Sequence, residues 1–175
     1  MQKVLRILGL LSLPILLASF HPPKTEKIKW LNPEELQIAY AKHPKPIIID
    51  VYTSWCGWCK VMDKDTYSNE KVITYINENF YAVKYDAESK DPVVFNNKKY
   101  NYNPAYKAND LAVYFLFGRM GYPTTVLLSA LDAQPAPLSG YLKPSELEPP
   151  LKYFGEGAFK NQNFPDFMKT FATSW

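Results

Sequence analysis

The residues best suited to chemistry in this sequence are Cys56 and Cys59, the only two cysteines of the chain. They directly follow an apolar run over residues 47–52 that is interrupted by Asp50. Such a run predicts a strand, and a strand that ends at a Cys-x-x-Cys delivers the first cysteine to the start of a helix. The free N–H groups and the positive end of that helix stabilise a thiolate on Cys56, and Cys59 lies one turn away. The pair is therefore predicted to be a dithiol/disulfide centre.

The N-terminal residues have the pattern of an export signal. Lys3 and Arg6 form a basic start, and an apolar run from Ile7 to Ala18 follows, with helix-breaking prolines soon after. These features are typical of a cleaved signal peptide. We therefore predict a signal peptide over residues 1–20 and a protein exported to the periplasm or another extracytoplasmic space. The alternative is a buried N-terminal helix. A transmembrane helix is not expected, because the run is too short to span a bilayer.

Export affects how the cysteine pair is interpreted. In an oxidising compartment most cysteine pairs are structural disulfides that join distant segments. A Cys56–Cys59 bridge would close a loop of only a few residues and would stabilise the fold little. A zinc site would need two more ligands, and the chain has only two histidines, His21 and His43, and no further cysteine. Redox exchange is therefore the favoured function of the pair, and no metal is expected.

The segments around the cysteines predict an α/β layer with parallel strands, because helices and strands alternate along the chain. Asn32 is expected to cap the first helix, and Asn69 is expected to cap the helix after the cysteine helix. In chain order the predicted elements are a helix from Pro33 that stops before Pro44, a strand over 47–53, the cysteine helix to about residue 65, a helix after Asn69, and a strand over 80–86.

The second half of the chain predicts an insertion followed by further helices and strands. Residues 87–107 are rich in Asn, Lys and Tyr and contain a predicted hairpin within 93–102. This insertion is either a surface segment or a cap that contacts a partner. Beyond it we predict a helix that ends near Gly118, strands over 125–129 and about 138–141, a helix from 144, and a helical extension over 156–175.

Two features of the C-terminal part carry further expectations. Pro149 and Pro150 lie inside the helix that starts at residue 144, so a kink or a restart is expected there. The extension has an apolar stripe at helical spacing, which predicts core packing, with a membrane-surface role as the alternative. The stripe consists of Phe164, Phe167, Met168 and Phe171.

The composition fits one domain. The chain has 175 residues, of which 47% are hydrophobic and 15% aromatic, enough to bury one good core. Its formal charge is +3 and is not clustered, so no nucleic-acid partner is expected. We predict a single domain over residues 21–175 that acts as a monomer.

Two motifs in this order resemble the thioredoxin-fold family: Trp55-Cys56-Gly57-Trp58-Cys59-Lys60, and Tyr122-Pro123-Thr124 before a strand. Within this family the chain more closely resembles the exported thioredoxin-like proteins with a Trp-Cys-Gly-Trp-Cys-Lys motif, and the thiol-carrying terminal domain of the bacterial membrane thiol reductase is a related comparison. The resemblance implies a three-layer α/β fold, with a central mixed sheet of four to five strands flanked by helices and an insertion before a cis-proline. Trp58 departs from thioredoxin, which has proline there, and the residues between the cysteines help to set the redox potential.

The resemblance also implies residue roles. Cys56 would be the exposed nucleophile and Cys59 the resolving thiol, which exchange through a mixed disulfide. Asp50 would accept the proton of Cys59, and its apolar strand predicts a raised pKa; the alternative is an ordinary acid at a strand end. Lys84 would be either the cationic neighbour of Asp50 or a solvated lysine. Pro123 is expected to be cis, and the substrate-binding surface is expected to include Trp55, Gly57, Trp58, Tyr122 and Pro123.

Together these observations predict an exported thiol-disulfide oxidoreductase that exchanges the Cys56–Cys59 pair with protein substrates, preferably as a reductase. The alternatives are an oxidase or isomerase with the same pair, a non-catalytic adaptor that binds through the insertion, and a pair that accepts metal from a partner. The expected partners are protein thiols and disulfides of the envelope and a membrane electron donor. No cofactor beyond the redox-active disulfide is expected.

Overall fold

The computed structural model describes residues 26–175, and the predicted signal peptide lies outside them. The strands in this range are β1 (Trp30–Leu31), β2 (Ile47–Tyr52), β3 (Tyr81–Asp86), β4 (Val93–Phe95), β5 (Lys98–Tyr100), β6 (Tyr102–Asn103), β7 (Ala108–Asn109), β8 (Thr124–Leu128) and β9 (Ala136–Ser139). The helices are α1 (Pro33–Lys42), α2 (Gly57–Asp65), α3 (Glu70–Asn79), α4 (Asp110–Phe115), α5 (Pro144–Gly155) and α6 (Phe164–Thr170), with a 3₁₀ turn at Ala158–Lys160.

Five of the strands form one mixed sheet in the order β1-β3-β2-β8-β9. β1, β3 and β2 pair in parallel, whereas β8 is antiparallel to β2 and β9 is antiparallel to β8. α1 and α4 contribute to the core on one face of this sheet, and α2, α3 and α5 contribute to the core on the other. The predicted three-layer α/β fold with a central mixed sheet is therefore confirmed.

Strand β2 occupies the middle of the sheet, where apolar side chains cover both of its faces. Its first five residues are all buried, and alternate side chains point to opposite faces. Ile47, Ile49 and Val51 belong to the core cluster on the α1 and α4 side, and Ile48 belongs to the other cluster. Asp50 shares the face of Ile48, so the fold encloses a carboxyl group beneath α2, α3 and α5.

The helices begin where their capping residues predict. Asn32 accepts two N–H groups of α1, and Glu35 accepts the N–H of Asn32, which completes a capping box. Asn69 and Asn109 accept N–H groups at the starts of α3 and α4 in the same way. α1 ends at Lys42, before Pro44, because proline disfavours a helical conformation in the residue that precedes it.

The predicted insertion at residues 87–107 contains the antiparallel pair of β4 with β5, and also β6, which pairs with β7 directly after the insertion. The first pair is the predicted hairpin, and its turn residues Asn96 and Asn97 both have positive φ, as a tight hairpin turn needs. Phe95 precedes this turn and Tyr100 ends β5, and both are buried in the cluster that contains α4. The segment is therefore not confined to the surface, because its aromatic side chains complete the core.

Helix α5 continues through both of its prolines, so the expected restart is wrong. Pro149 and Pro150 remove only the hydrogen bonds to the carbonyls of Ser145 and Glu146, which lie in the first turn of the helix. Both proline residues are buried against the core. Packing of the two rings outweighs the loss of two hydrogen bonds near the helix start.

The C-terminal extension forms α6 and packs on α5 with part of its apolar stripe. Phe167 is buried, and its ring centroid lies 5.4 Å from that of Tyr153. Phe164 and Met168 remain exposed, so only part of the stripe packs in the core. Among residues 26–175, no helix has both the length and the apolar character needed to cross a membrane.

A buried carboxylate on α5 holds the end of the chain. Glu148 is fully buried and accepts the backbone N–H groups of Ser174 and Trp175 and the hydroxyl of Ser174. The ring of Trp175 packs on Tyr75, with centroids 5.6 Å apart. Burial raises the pKa of Glu148, but the hydrogen bonds and the Lys152 charge outweigh burial and hold this pKa below its ordinary value.

Candidate active site

Cys56 and Cys59 form a disulfide bond at the N-terminus of α2. Cys56 is the N-cap residue, and its sulfur accepts the N–H of Cys59 at 3.0 Å. The sulfur therefore lies where the unpaired N–H groups and the helix dipole stabilise a thiolate. The expectation that Cys56 is exposed is wrong for this disulfide form. Only 4% of Cys56 is exposed, because its side chain turns back over the helix start.

Aromatic side chains stand on both sides of the disulfide. Trp55 is 65% exposed, and its ring lies against Tyr122 at a centroid distance of 6.0 Å. Its indole N–H donates to a carboxylate oxygen of Glu88 at 3.0 Å. Trp58 is 63% exposed and lies 5.7 Å from Tyr141 between ring centroids. We call the surface formed by Trp55, Trp58, Tyr122 and Tyr141 the aromatic surface.

The Tyr122–Pro123 peptide bond is cis, as predicted. Thr124, the next residue, pairs with Val51, so Pro123 lies at the end of the sheet where β2 leads into the cysteine pair. The carbonyl of Pro123 accepts the N–H of Gly140 at 2.8 Å, which fixes this loop to the end of β9. The two motifs that are far apart in sequence therefore meet at one end of the sheet.

Gly57 leaves open space beside the first cysteine. A Cβ atom at this position would meet no heavy atom within 4 Å. The residue is exposed, so the backbone here is accessible to a segment that contacts the aromatic surface.

Asp50 lies beneath α2 and is only 2% exposed. Its Oδ2 atom lies 3.0 Å from the Nζ of Lys84, and its buried Oδ1 atom has no hydrogen-bond partner. Burial raises the pKa of Asp50 to about 6, although the Lys84 charge opposes this shift. The predicted rise in pKa is confirmed. A carboxyl group with this pKa can exchange a proton close to neutral pH.

Lys84 joins Asp50 to a second carboxylate on α2. It lies opposite Asp50 in the β2–β3 register, and its ammonium group also donates to Asp63. The same ammonium lies 5.4 Å from the ring centroid of Trp30 and 5.1 Å from that of Tyr52. Burial alone would lower the pKa of Lys84, but the charges and hydrogen bonds of Asp50 and Asp63 outweigh burial and raise this pKa. Lys84 is therefore a paired lysine and not a solvated one.

Three residues of the site were not predicted from the sequence: Asp63, Glu88 and Tyr141. Asp63 is four residues after Cys59, so it shares a helix face with that cysteine, and this spacing is a usable signal. Glu88 and Tyr141 reach the site only through the folded chain, and no local pattern identifies them.

The described residues offer sulfur and carboxylate chemistry at this site. Within residues 26–175, no group of three or more His, Cys, Asp or Glu side chains could hold a metal ion. The arrangement instead places the redox-active Cys56–Cys59 pair beside the aromatic surface and a buried carboxyl group beneath the same helix. These groups are suited to thiol–disulfide exchange.

Solved structures with this fold include one described as DsbH Oxidoreductase. It aligns with a TM-score of 0.55 at 15% identity, over 82% of this chain and 94% of that chain. A thioredoxin from Thermus thermophilus aligns with a TM-score of 0.54 at 13% identity, over 76% of this chain and 94% of that chain. At these identities the likeness establishes the fold alone, and it confirms the thioredoxin-like fold.

Curated relatives share part of the sequence. An uncharacterized protein of Caenorhabditis elegans is 32% identical over 102 residues, which are 58% of this chain and 12% of that protein. The thiol:disulfide interchange protein DsbD of Campylobacter jejuni is 29% identical over 103 residues, which are 58% of this chain and 17% of DsbD. The matched part is therefore less than a fifth of the length of either relative.

A family model described as a protein of unknown function, DUF255, and named Thioredox_DsbH matches residues 18–154. The match covers most of the chain and includes the cysteine pair, Asp50, Lys84 and the cis-proline. The chain therefore belongs to this thioredoxin-like DUF255 family.

Proposed function

We propose that this protein is an exported thiol-disulfide oxidoreductase that reduces disulfides of client proteins. The observation that carries the proposal is the Cys56–Cys59 disulfide at the start of α2, beside the aromatic surface and on the sheet face that buries Asp50. The bridge joins residues only three positions apart and stabilises the fold little, so exchange chemistry explains it better than a structural role. The disulfide form is the state that remains after a client has been reduced.

In the reductive direction the reaction starts from the dithiol. The Cys56 thiolate attacks one sulfur of the client disulfide, which forms a mixed disulfide and releases the first client thiolate. Ionised Asp50 accepts the proton of Cys59, and the Cys59 thiolate attacks the Cys56 sulfur. The Cys56–Cys59 bond forms, the bond to the client breaks, and the second client thiolate leaves. Two electrons pass to the client, and an external dithiol donor restores them.

The location and the partners are proposed from the sequence and the similarity. The basic start at Lys3 and Arg6 and the apolar run after them support export to the periplasm or another extracytoplasmic space. Proteins in that compartment carry disulfides, so clients are available there. We propose a membrane protein as the electron donor, because electrons must cross into an oxidising compartment. The similarity to a thiol:disulfide interchange protein supports the reaction class.

Two cysteine variants test the activity. The protein is expected to reduce a model protein disulfide when dithiothreitol supplies electrons, and Cys56→Ser is expected to abolish this turnover. Cys59→Ser is expected to accumulate a mixed disulfide between Cys56 and the client, because no resolving thiol remains. Full activity of Cys56→Ser would refute the proposal. No turnover together with an ordinary, slowly reacting Cys56 thiol would instead indicate an adaptor.

The direction of electron flow is tested by the redox potential of the pair, measured in equilibrium with glutathione buffers. A potential more negative than about −200 mV supports a reductase, whereas a value near about −120 mV indicates an oxidase. Export is tested separately by cell fractionation and by sequencing the N-terminus of the mature protein. An unprocessed chain in the cytoplasm would contradict the proposed location without affecting the chemistry.

A further inference from the structure

The end of helix α4 places an unfavourable residue in a position that normally needs glycine. Gly118 donates its N–H to the carbonyl of Val113 at 2.9 Å, which is the hydrogen bond that closes a helix C-terminus. The residue before it, Phe117, therefore takes the left-handed conformation, with φ of 51°. Glycine is usual at this position because a Cβ atom is strained there, yet the chain has Phe117 and places glycine one residue later.

The ring of Phe117 is not buried in compensation for this strain. The side chain is 51% exposed, and the neighbouring ring of Tyr106 is 45% exposed. Lys107, next to Tyr106, has the same left-handed conformation, with φ of 51°. Glycine would close the helix here without this strain, and strained residues in folded proteins cluster at active sites and binding sites.

Phe117 and Tyr106 line a groove of about 430 Å³ between the β4–β5 hairpin and α4. We call this the α4 groove. Its aromatic lining is completed by Tyr100 and Tyr114, and its other lining residues include Lys98 and Lys99. The α4 groove lies on the α4 side of the sheet, whereas the cysteine pair is carried by α2 on the opposite side. It is therefore a separate surface.

The charges around the α4 groove are unbalanced. Lys98 and Lys99 are exposed and take part in none of the ion pairs among residues 26–175. The carboxylate of Asp110 also lines the groove and accepts the amide N–H of Asn103 at 2.8 Å, a contact that leaves its negative charge in place. The groove thus combines partly exposed aromatic rings with two lysines against one carboxylate.

We propose that the α4 groove docks an acidic segment of a partner protein. An apolar or aromatic side chain of the segment packs between Phe117 and Tyr106, and its carboxylates face Lys98 and Lys99. A protein segment is favoured over a nucleic acid, because the chain has a formal charge of only +3 and two lysines neutralise few phosphates. This docking goes beyond thiol exchange and does not require it.

The proposal is tested with random peptides displayed on phage and selected on the immobilised full chain. Selection on the wild-type protein is expected to enrich peptides that combine acidic residues with an aromatic or large apolar residue. The best peptide is then made synthetically, and its affinity is measured by fluorescence anisotropy. Affinity is expected to fall about tenfold or more in Phe117→Gly and in the Lys98→Glu, Lys99→Glu double variant, and to weaken at high salt.

The variants separate binding from folding. Phe117→Gly removes the strained Cβ atom, so its melting temperature is expected to equal or exceed that of the wild type. Phe117→Asn also tolerates the left-handed conformation and provides a second variant. Ile38→Ser, which changes an exposed apolar residue on α1, is the matched control and is expected to bind normally.

Three results would overturn the proposal. They are the absence of any enriched peptide, the enrichment of basic peptides, and a selected peptide that binds Phe117→Gly as tightly as it binds the wild-type protein. Competition by a single-stranded oligonucleotide at lower concentration than the peptide would assign the groove to nucleic acid instead. The disulfide-reducing rate of Phe117→Gly on a small model disulfide is expected to be unchanged, so failure of docking and failure of the redox function are distinguishable.

Discussion

Asp50 has a pKa of about 6 in the folded protein against an ordinary value of 3.8, and this difference makes stability depend on pH. The folded state binds the proton more tightly than the unfolded state, so folding loses stability as pH rises from about 4 to about 6. Asp50→Asn is expected to stabilise the oxidised protein by about 1–3 kcal/mol at pH ~8 and by little at pH ~4. Urea unfolding at both pH values measures the gain, and equal gains would contradict this account.

The same substitution is expected to slow the reaction. Without the carboxylate, Cys59 lacks a nearby proton acceptor, so release of the mixed disulfide should slow at least about tenfold near neutral pH. In the wild type this step should accelerate with pH around a midpoint near 6, because Asp50 must be ionised. Stopped-flow measurement of client release across pH checks both statements. If Asp50→Asn keeps the wild-type pH profile, Asp50 takes no part in the mechanism.

The neighbours of Asp50 set its pKa in opposite directions. The Lys84 charge lowers this pKa and the Asp63 charge raises it, so Lys84→Met is expected to raise the pKa of Asp50 and Asp63→Asn to lower it. Carbon-13 NMR titration of the Asp50 carboxyl group measures both shifts. Lys60→Met, which changes an exposed lysine on the same helix as Asp63, is the control and should leave the titration unchanged. Shifts of the same sign in the first two variants would disprove this network.

Among the elements, α4 depends on a single buried asparagine. Asn109 caps α4 through the N–H of Leu111, and its amide group donates to the carbonyls of Ser89 and Asp91. Asn109→Ala is expected to cost about 2–4 kcal/mol, because a cap is lost and buried carbonyls lose their donors. Asn69→Ala, which removes only a half-buried cap, should cost about 1 kcal/mol. Chemical denaturation of both variants measures the difference, and equal costs would show that the amide contacts contribute nothing.

The elements could be predicted from the sequence where local signals decide them. Asn32 and Asn69 cap helices, and the β4–β5 hairpin forms, because these features depend on nearby residues. The sequence did not predict that α5 continues through Pro149 and Pro150, since that depends on their burial against distant residues. The left-handed conformation at Phe117 was missed for a related reason: glycine at residue 118 suggested an ordinary helix end.

In the candidate site, too, the residues set by local motifs could be predicted, and the contacts set by distant residues could not. The cysteine pair, Asp50 and Pro123 could be identified because each lies in a motif with its own spacing. The burial of Cys56 and the hydrogen bond between Trp55 and Glu88 depend on how the start of α2 and the segment after β3 pack together. Such contacts are set by the whole chain, so no local pattern predicts them.

For the molecule as a whole, the contact between Glu148 and the chain end joins the tail to α5. Removal of Ser174 and Trp175 leaves a buried carboxylate with only Lys152 as a partner, at 3.8 Å. The truncated protein is expected to lose about 2–3 kcal/mol at neutral pH. Since the pKa of Glu148 is lowered in the folded protein, this contribution should decrease as pH falls below the ordinary value of 4.5. Thermal unfolding of both proteins across this range measures it, and a loss that grows at low pH would contradict the assignment.

The two outer strands of the five-stranded sheet have a consequence for how this protein meets other chains. β1 has only two residues, and β9 contains Pro137, which has no N–H to donate. Neither edge can therefore template the addition of a long strand from another molecule. A protein with the proposed thiol-exchange function would meet partly unfolded chains that expose such strands, and short or proline-containing edge strands would protect it from aggregating with them.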